Sequence, residues 1–475
     1  MKLLIAYYAA AVAEVLLLFV PAASSFAPQP PRVVLGGTSR RTIPRMSANT
    51  AAAAGQRRPT MPSHSPATSL PNQIYKWRNY DIRYQVTGPT DADHTLLLIH
   101  GLFVNSDHWR KTLTGLHTLQ NNTDFDGSGS GSGDNDKKMM KNKKIRIYAI
   151  DLLGSGWSSK PSRHEPNAQL LSGENGRFMD CTSICYRELH PAATATNIAG
   201  NQRPTKIRTQ ATLRNTPLGT SSGGHRLAST LALRHPLQSP YNFFTWAEQI
   251  TDFIHDVIHA DVNNNNNNKV TIIANSIGTM SSLQSILDEP NLFNGCMIIN
   301  PNFRELHMAE VPFSSITMPL VRQVQSLLRN NGHGLFASLA NPKTVKEILK
   351  EPYAVVDAVD DELVQVLLDP LLTDGAADVV FDTLSYSAGP LPEQQLSSNN
   401  FPRESCPTWV VYGKDDPWTP AKRVENLKIV GRVNDEYGMS TVEKIVGLDG
   451  VGHCPHDESP EVVNRLILEF LDRLS

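Results

Sequence analysis

A series of short apolar runs, each ending at a turn residue, constrains this chain more than any other feature of it. They are Thr95–Ile99, Ile145–Ile150, Val270–Ala274, Cys296–Ile299 and Thr408–Tyr412. Runs without polar alternation suit strands buried on both faces of a mainly parallel sheet. Segments with helical spacing lie between them, such as Trp246–Ile254 and Ser281–Leu287. Parallel neighbours need crossover connections, so the alternation predicts an α/β architecture with a mainly parallel central sheet flanked by helices. From 302 to 400 that rhythm breaks. Val345–Leu349 and Glu362–Leu368 keep helical spacing and no clear strand accompanies them, which predicts an inserted helical cap.

The length of 475 residues would accommodate about three domains of ordinary size. Hydrophobic residues at 40% and aromatics at 7% are low for a chain of that length folded throughout, so part of it is expected not to contribute a core. Lys and Arg number 44 against 46 Asp and Glu, a net charge of −2. That balance excludes a strongly basic nucleic-acid binder and an acidic solvating chain. The five cysteines make no disulfide framework, and the C-x3-C of Cys181 and Cys185 has no second pair to complete a zinc site. No metal is expected, and a reducing compartment is the simpler reading.

The N-terminus carries no core signal. Residues 1–25 hold Lys2, an apolar run broken by Glu14, and the small residues Ala22, Ala23, Ser24 and Ser25, the pattern of a signal peptide. From there to Asp81 no acidic residue occurs, while Arg32, Arg40, Arg41, Arg45, Arg57 and Arg58 are basic, so residues 26–70 read as a transit-like segment. The junction Ala23-Ser24-Ser25-Phe26-Ala27-Pro28 resembles the ASAFAP-type motif of diatoms and related algae with complex plastids. That resemblance implies delivery to the plastid through the endoplasmic reticulum; plain secretion is the alternative. Three further stretches, about 121–144, 162–240 and 263–268, are Gly/Ser-rich, polar and Pro-broken, or an Asn homopolymer. They offer too little apolar surface to offset the entropy of ordering and are expected as disordered insertions. The core is then expected in two parts, 71–301 and 401–475, around the 302–400 cap.

In open α/β sheets sites form beyond the carboxyl ends of strands, so the residues just after each run carry the functional reading. Val270–Ala274 is followed by Asn275-Ser276-Ile277-Gly278 and a helix, a small-x-Ser-x-Gly turn that would project Ser276 as a nucleophile. Thr408–Tyr412 is followed by Gly413-Lys414-Asp415-Asp416, where either Asp415 or Asp416 could orient a histidine. Beyond Val442–Gly447 comes Gly450-Val451-Gly452-His453, which places a candidate base on a Gly-rich loop near the C-terminus. After Thr95–Ile99, His100-Gly101-Leu102 would let a backbone approach an oxyanion, with the Leu102 and Ile277 N–H groups as donors. His100 reads as a structural hydrogen-bonder beside them. His456 and Asp457 are expected to support the site from behind.

The pieces HGLFVNSDHWR, IYAIDLLGSGWSSKP, IIANSIGTMSSLQ, YGKDDPWTP, GVGHCPHDESPEVVN and the cap stretch with YSAGPLPE resemble the pheophytinase and chlorophyll dephytylase family of plastid and cyanobacterial α/β-hydrolases. The resemblance covers most of 74–100, 145–160 and 240–475. It implies Ser276 as nucleophile, His453 as base and Asp416 as the acidic member, in the Ser–Asp–His chain order of that fold. Ala274 and Thr279 depart from the family's usual residues.

The expected activity is cleavage of a carboxylic ester through an acyl-enzyme, with no cofactor. The phytyl ester of chlorophyll or pheophytin, or another plastid lipid ester, is the implied substrate, with peripheral association with plastid membranes. Ser at the turn argues against the dehalogenase and epoxide hydrolase branches, which need Asp there. An acyltransferase, a cofactor-free perhydrolase or a non-catalytic binding protein on the same scaffold are the alternatives. The cap residues Val364, Val366, Leu367 and Leu368 read equally as pocket lining and as plain cap core.

Overall fold

The computed structural model describes residues 58–121, 144–165, 239–262, 269–303, 314–387, 389–398, 400–430 and 440–475, with short pieces at 168, 210–212, 230–232, 235 and 237. The expected signal peptide, the transit-like segment up to residue 57 and the Asn run lie outside the described residues, as does most of the other two expected insertions.

Among the described residues there are ten strands: β1 (Gln73–Trp77), β2 (Tyr80–Thr87), β3 (His94–Ile99), β4 (Ile145–Ile150), β5 (Gln210–Thr212), β6 (Thr230–Ala232), β7 (Val270–Ser276), β8 (Phe293–Pro301), β9 (Thr408–Gly413) and β10 (Val442–Leu448). Eight of them form one sheet in the order β1-β2-β4-β3-β7-β8-β9-β10, and β5 pairs with β6. β1, β2 and β4 pair antiparallel, and every pair from β4 to β10 is parallel. The α/β architecture read from the apolar runs is the observed one. β2 was not marked by such a run, because its apolar residues alternate with the buried polar Arg83 and Gln85.

The α-helices of five residues or more among the described residues are α1 (Arg110–Asn121), α2 (Phe243–Phe253), α3 (Gly278–Asp288), α4 (Ser314–Asn331), α5 (His333–Leu339), α6 (Pro342–Lys350), α7 (Asp361–Leu371), α8 (Ala376–Leu384), α9 (Pro392–Leu396), α10 (Ala421–Val430) and α11 (Pro460–Leu474). Side chains of a strand point alternately to its two faces, and each face has its own helical cover. Leu97 and Ile99 of β3 pack with Phe244, Ile250 and Met280 of α2 and α3. Leu96 and Leu98 pack with Leu113 of α1 and Ile467 and Phe470 of α11. All of these are fully buried, and burial of each contributes roughly 1.5–3 kcal/mol.

Between β8 and β9 the described residues are helical, with no strand. α6 starts under Asn341, whose Oδ1 accepts from Thr344 N–H at 3.0 Å, and α7 under Asp360, whose Oδ1 accepts from Leu363 N–H at 2.7 Å. Both are side-chain N-caps with good geometry. Val364, Val366 and Leu368 pack into a cluster with Val345 and Tyr353, while Leu367 of the same cluster also lines a cavity.

Three boundaries differ from the sequence expectation. Part of the transit-like segment is packed: Ser65 Oγ donates to Asp107 Oδ1 at 2.6 Å and Thr68 is buried, so the fold begins before residue 71. Within the 162–240 stretch, His235 is buried and stacked on Tyr386. The helical insertion stops before α9, where Gln395 Nε2 donates to Met280 O at 2.9 Å and Glu393 pairs with Arg423 at 2.6 Å. In each case buried polar side chains make specific hydrogen bonds, which composition does not register.

Candidate active site

β7 ends on Ser276, whose φ of +53° lies in the left-handed region that non-glycine residues seldom adopt. The β7–β8 register also shifts between Asn275 and Ser276, so the chain leaves the sheet sharply there. Two glycines make room for this turn. A Cβ on Gly278 would come 2.6 Å from His100 O, and one on Gly101 would come 2.8 Å from Asn275 Oδ1 and 3.1 Å from Ser276 Cβ. The start of α3 and the loop after β3 can therefore close on the serine only with hydrogen at both positions.

Ser276 Oγ lies 2.9 Å from His453 Nε2, and His453 Nδ1 lies 2.6 Å from Asp416 Oδ2. Ser276 and His453 are 4% and 3% exposed, so this chain of bonds runs beneath the surface. Asp416 also accepts from Trp418 N–H at 2.7 Å and from Asn300 Nδ2 at 2.6 Å. Burial alone would raise its carboxyl pKa. The His453 ring beside it and the hydrogen bonds to His453, Trp418 and Thr419 outweigh that and hold it below the usual carboxylate range. Asp415, the other candidate, is exposed, and its backbone N–H is bonded to Val451 O at 3.0 Å.

Leu102 and Ile277 flank the serine from the loop after β3 and from the start of α3, and Phe103 beside Leu102 has a left-handed φ of +58°. His100 has both ring nitrogens engaged: Nε2 accepts from Leu152 N–H at 3.0 Å, and Nδ1 donates to Gly101 O at 2.7 Å. Burial holds its pKa down, which suits a neutral ring that ties two loops together. The His456 ring lies tilted against Trp109 at 4.1 Å between ring centroids, and its Nε2 is 3.3 Å from His108 Nδ1. Asp457 accepts from Arg110 Nε at 3.2 Å and from Tyr353 Oη at 3.2 Å. Both sit behind the His453 loop.

Two cavities meet at Leu102, Phe103 and Val104. One, of about 710 Å³ including its open mouth, holds Ser276, His453 and Trp418 under Ile348, Leu349 and Pro352. The other, of about 520 Å³, runs beneath α7 and α8 past Ile277, Trp246 and Leu367. Largely apolar walls with a few polar groups at one end describe a site for an apolar small molecule.

A model of the alpha/beta hydrolase family matches residues 96–466, from within β3 to within α11. The chain belongs to the alpha/beta hydrolase family. Among curated proteins it is similar to the chloroplastic pheophytinase of Arabidopsis thaliana, at 24% identity over 258 residues. That match covers 50% of this chain and 46% of pheophytinase, so the chain spans less than half the length of that relative. Among solved structures, a thermophilic esterase from Thermogutta terrifontis aligns at 14% identity over 83% of this chain and 94% of its own, with a TM-score of 0.45. The thioesterase domain from the curacin biosynthetic pathway aligns at 13% identity over 84% of this chain and 100% of its own, with a TM-score of 0.47.

Asn300 and Tyr353 also reach the site of this alpha/beta hydrolase, and neither belongs to a motif named above. Asn300 sits at the end of β8 and its Oδ1 accepts from Gly413 N–H at 3.1 Å, so it links two strand ends to Asp416. Its position directly after Ile299, at the end of an apolar run, is the signal that could have found it. Tyr353 lies between α6 and α7 in a loop with no motif of its own, and only the packed structure shows that it reaches the site.

Proposed function

We propose that the chain hydrolyses carboxylic esters with Ser276 as nucleophile. The observation that carries this reading is the unbroken sequence Asp416 Oδ2, His453 Nδ1, His453 Nε2 and Ser276 Oγ, with steps of 2.6 and 2.9 Å, ending on a left-handed serine between strand and helix. Ser276 O–H donates to His453 Nε2, which takes the proton as Oγ attacks the ester carbonyl. The anionic Asp416 keeps the ring proton on Nδ1 and stabilises the imidazolium that forms. Its depressed pKa keeps it charged for this task across the neutral range. The backbone N–H groups of Leu102 and Ile277 stabilise the tetrahedral oxyanion, a contribution worth ~2.7–4 kcal/mol per donor in comparable sites. His453 then gives its proton to the leaving alcohol, and water activated by the same ring releases the acid from the acyl-enzyme.

The substrate in this reading is an apolar ester, because both cavities at Leu102 have mainly apolar walls. The relative named a chloroplastic pheophytinase, together with the plastid-type N-terminal sequence, supports a phytyl ester of a chlorophyll-type pigment and a plastid location. Peripheral contact with a plastid membrane follows from such a substrate. A fluorophosphonate probe tests the chemistry: it labels the wild type at Ser276 and does not label Ser276→Ala. Absence of labelling in a folded preparation overturns the reading. Turnover of pheophytin, chlorophyll and short acyl esters then tests the substrate, and activity on short esters alone removes the pigment assignment.

A further inference from the structure

Glu458 is a buried carboxylate with no part in the proposed ester chemistry. It is 8% exposed, in the short helical turn Pro455–Glu458 behind His453. Its Oε2 accepts from Gly452 N–H at 2.9 Å, Ala354 N–H at 2.8 Å and Val355 N–H at 2.9 Å, and its Oε1 accepts from Cys454 N–H at 2.9 Å. A carboxylate offers about four lone-pair sites, so backbone donors alone nearly saturate it. Two of the donors flank His453 in sequence. The other two belong to the strap Pro352–Val355, which leaves α6 and walls the cavity that contains Ser276.

Further contacts join the same two segments. His453 N–H donates to Pro352 O at 2.8 Å. A Cβ on Gly452 would come 2.4 Å from Pro352 O and 2.6 Å from Ala354 N, so the strap approaches the loop more closely than any side chain allows. Tyr353 Oη lies 2.8 Å from His108 Nε2 and donates to Asp457 Oδ2 at 3.2 Å, which pins the strap from its other side.

We propose that Glu458 is a positioning residue that holds the His453 loop and the Pro352–Val355 strap as one body. Docking of the strap and placement of the imidazole are then a single event, and the cavity wall is set together with the base. The inference rests on the proposed role of His453. A glutamine at 458 keeps the shape but replaces one acceptor oxygen with an NH2 group. That group would face N–H donors, so either the strap amides or Cys454 N–H lose their acceptor.

The test uses the full chain with Glu458→Gln, Glu458→Asp and Gly452→Ala. The first readout is the low-field proton resonance of the 2.6 Å His453–Asp416 bond, which needs no substrate. The second is kcat and KM on a short soluble ester. Glu458→Gln is expected to lose or broaden the resonance and to lower kcat about 10- to 100-fold with KM nearly unchanged, as for a base displaced by a fraction of an ångström. Gly452→Ala, which leaves Glu458 intact, is expected to give the same pattern, and Glu458→Asp a partial recovery. An unchanged resonance and kcat in the folded variants overturn the proposal. So does a kcat that falls only in proportion to the folded fraction by circular dichroism. Glu458→Asp, the mildest change, decides if the other two do not fold. If the wild type neither labels with fluorophosphonate nor cleaves an ester, the hydrolase reading fails separately, and the resonance still decides whether Glu458 positions the ring.

Discussion

Asn300 Nδ2 donates to Asp416 Oδ2 at 2.6 Å, on the same oxygen that faces His453 Nδ1. Asn300 is fully buried and holds a left-handed φ of +43°, a region asparagine tolerates better than most residues. Its two amide ends thus fix the Asp416 carboxylate against the backbone of Gly413. Asn300→Ala should remove one donor and loosen the carboxylate, lowering kcat/KM about tenfold, in line with loss of one charge-assisted bond. Asn300→Asp should cost more, because a second buried carboxylate would oppose ionisation of the first. Steady-state rates of the two variants at neutral pH check the order; equal activity of Asn300→Asp and wild type would contradict it.

Asp415 and Asp416 are adjacent in sequence and opposite in environment. Asp416→Asn should lower kcat roughly 10³- to 10⁴-fold, because an amide no longer holds the Nδ1–H tautomer or the imidazolium. Asp415→Asn, at an exposed side chain, should stay within a factor of about two of wild type. Rates on one ester under identical conditions settle the pair, and a large loss in Asp415→Asn would show that the acidic partner is misassigned.

How far the sequence could be read depends on the physics of each element. β3, β4, β7, β8 and β9 were legible because burial on both faces leaves uninterrupted apolar runs. β2 was not, since Arg83 lies in it and is fully buried with ion pairs to Asp107 at 2.8 Å and Asp151 at 3.3 Å. No periodicity announces a satisfied interior arginine. Ser276, Asp416 and His453 stand at strand ends, where a one-dimensional rule can find them. Asp415 and Asp416 could not be told apart by that rule, because only side-chain direction separates them. Tyr353 and Glu458 escaped because the contacts that tie the strap to the His453 loop, Tyr353 to Asp457 and Ala354 to Glu458, join residues that are far apart in sequence.

The glycine at the turn gives a stability prediction with a built-in control. A Cβ at position 278 would meet two backbone oxygens, His100 O at 2.6 Å and Ile99 O at 3.0 Å, neither of which can rotate away. Gly278→Ala should destabilise the fold by about 1–3 kcal/mol and displace Ser276 from His453. Gly334 in α5 has nothing within 4 Å of such an atom, so Gly334→Ala should be neutral or stabilising by up to ~1 kcal/mol. The melting temperature should fall in Gly278→Ala and stay level or rise in Gly334→Ala. Similar destabilisation in both would mean that the close approach at 278 is not what requires the glycine.

The histidines behind the site should make stability fall on mild acidification. Burial, aided by the nearby Arg110, brings His108 down to about 4, and burial followed by the charge of His108 holds His456 well below its usual range. In the unfolded chain both titrate near ~6.5. Between that pH and about 4 the unfolded state binds protons that the folded state refuses, so stability rises with pH across this window. Their contribution is complete above ~6.5 and is lost as pH falls toward the folded values. At about 1.4 kcal/mol per pKa unit, His108 alone accounts for about 3 kcal/mol over that span. Asp416 has the same sign but acts lower, since its depressed carboxyl loses its contribution only below the usual carboxylate range. Urea midpoints measured from pH 7 to pH 4.5 should therefore fall steeply in the wild type. His456→Phe keeps a ring against Trp109 and removes a buried proton acceptor whose Nδ1 has no partner among the described residues. It should flatten part of that slope, and an identical slope in wild type and variant would remove His456 from the explanation.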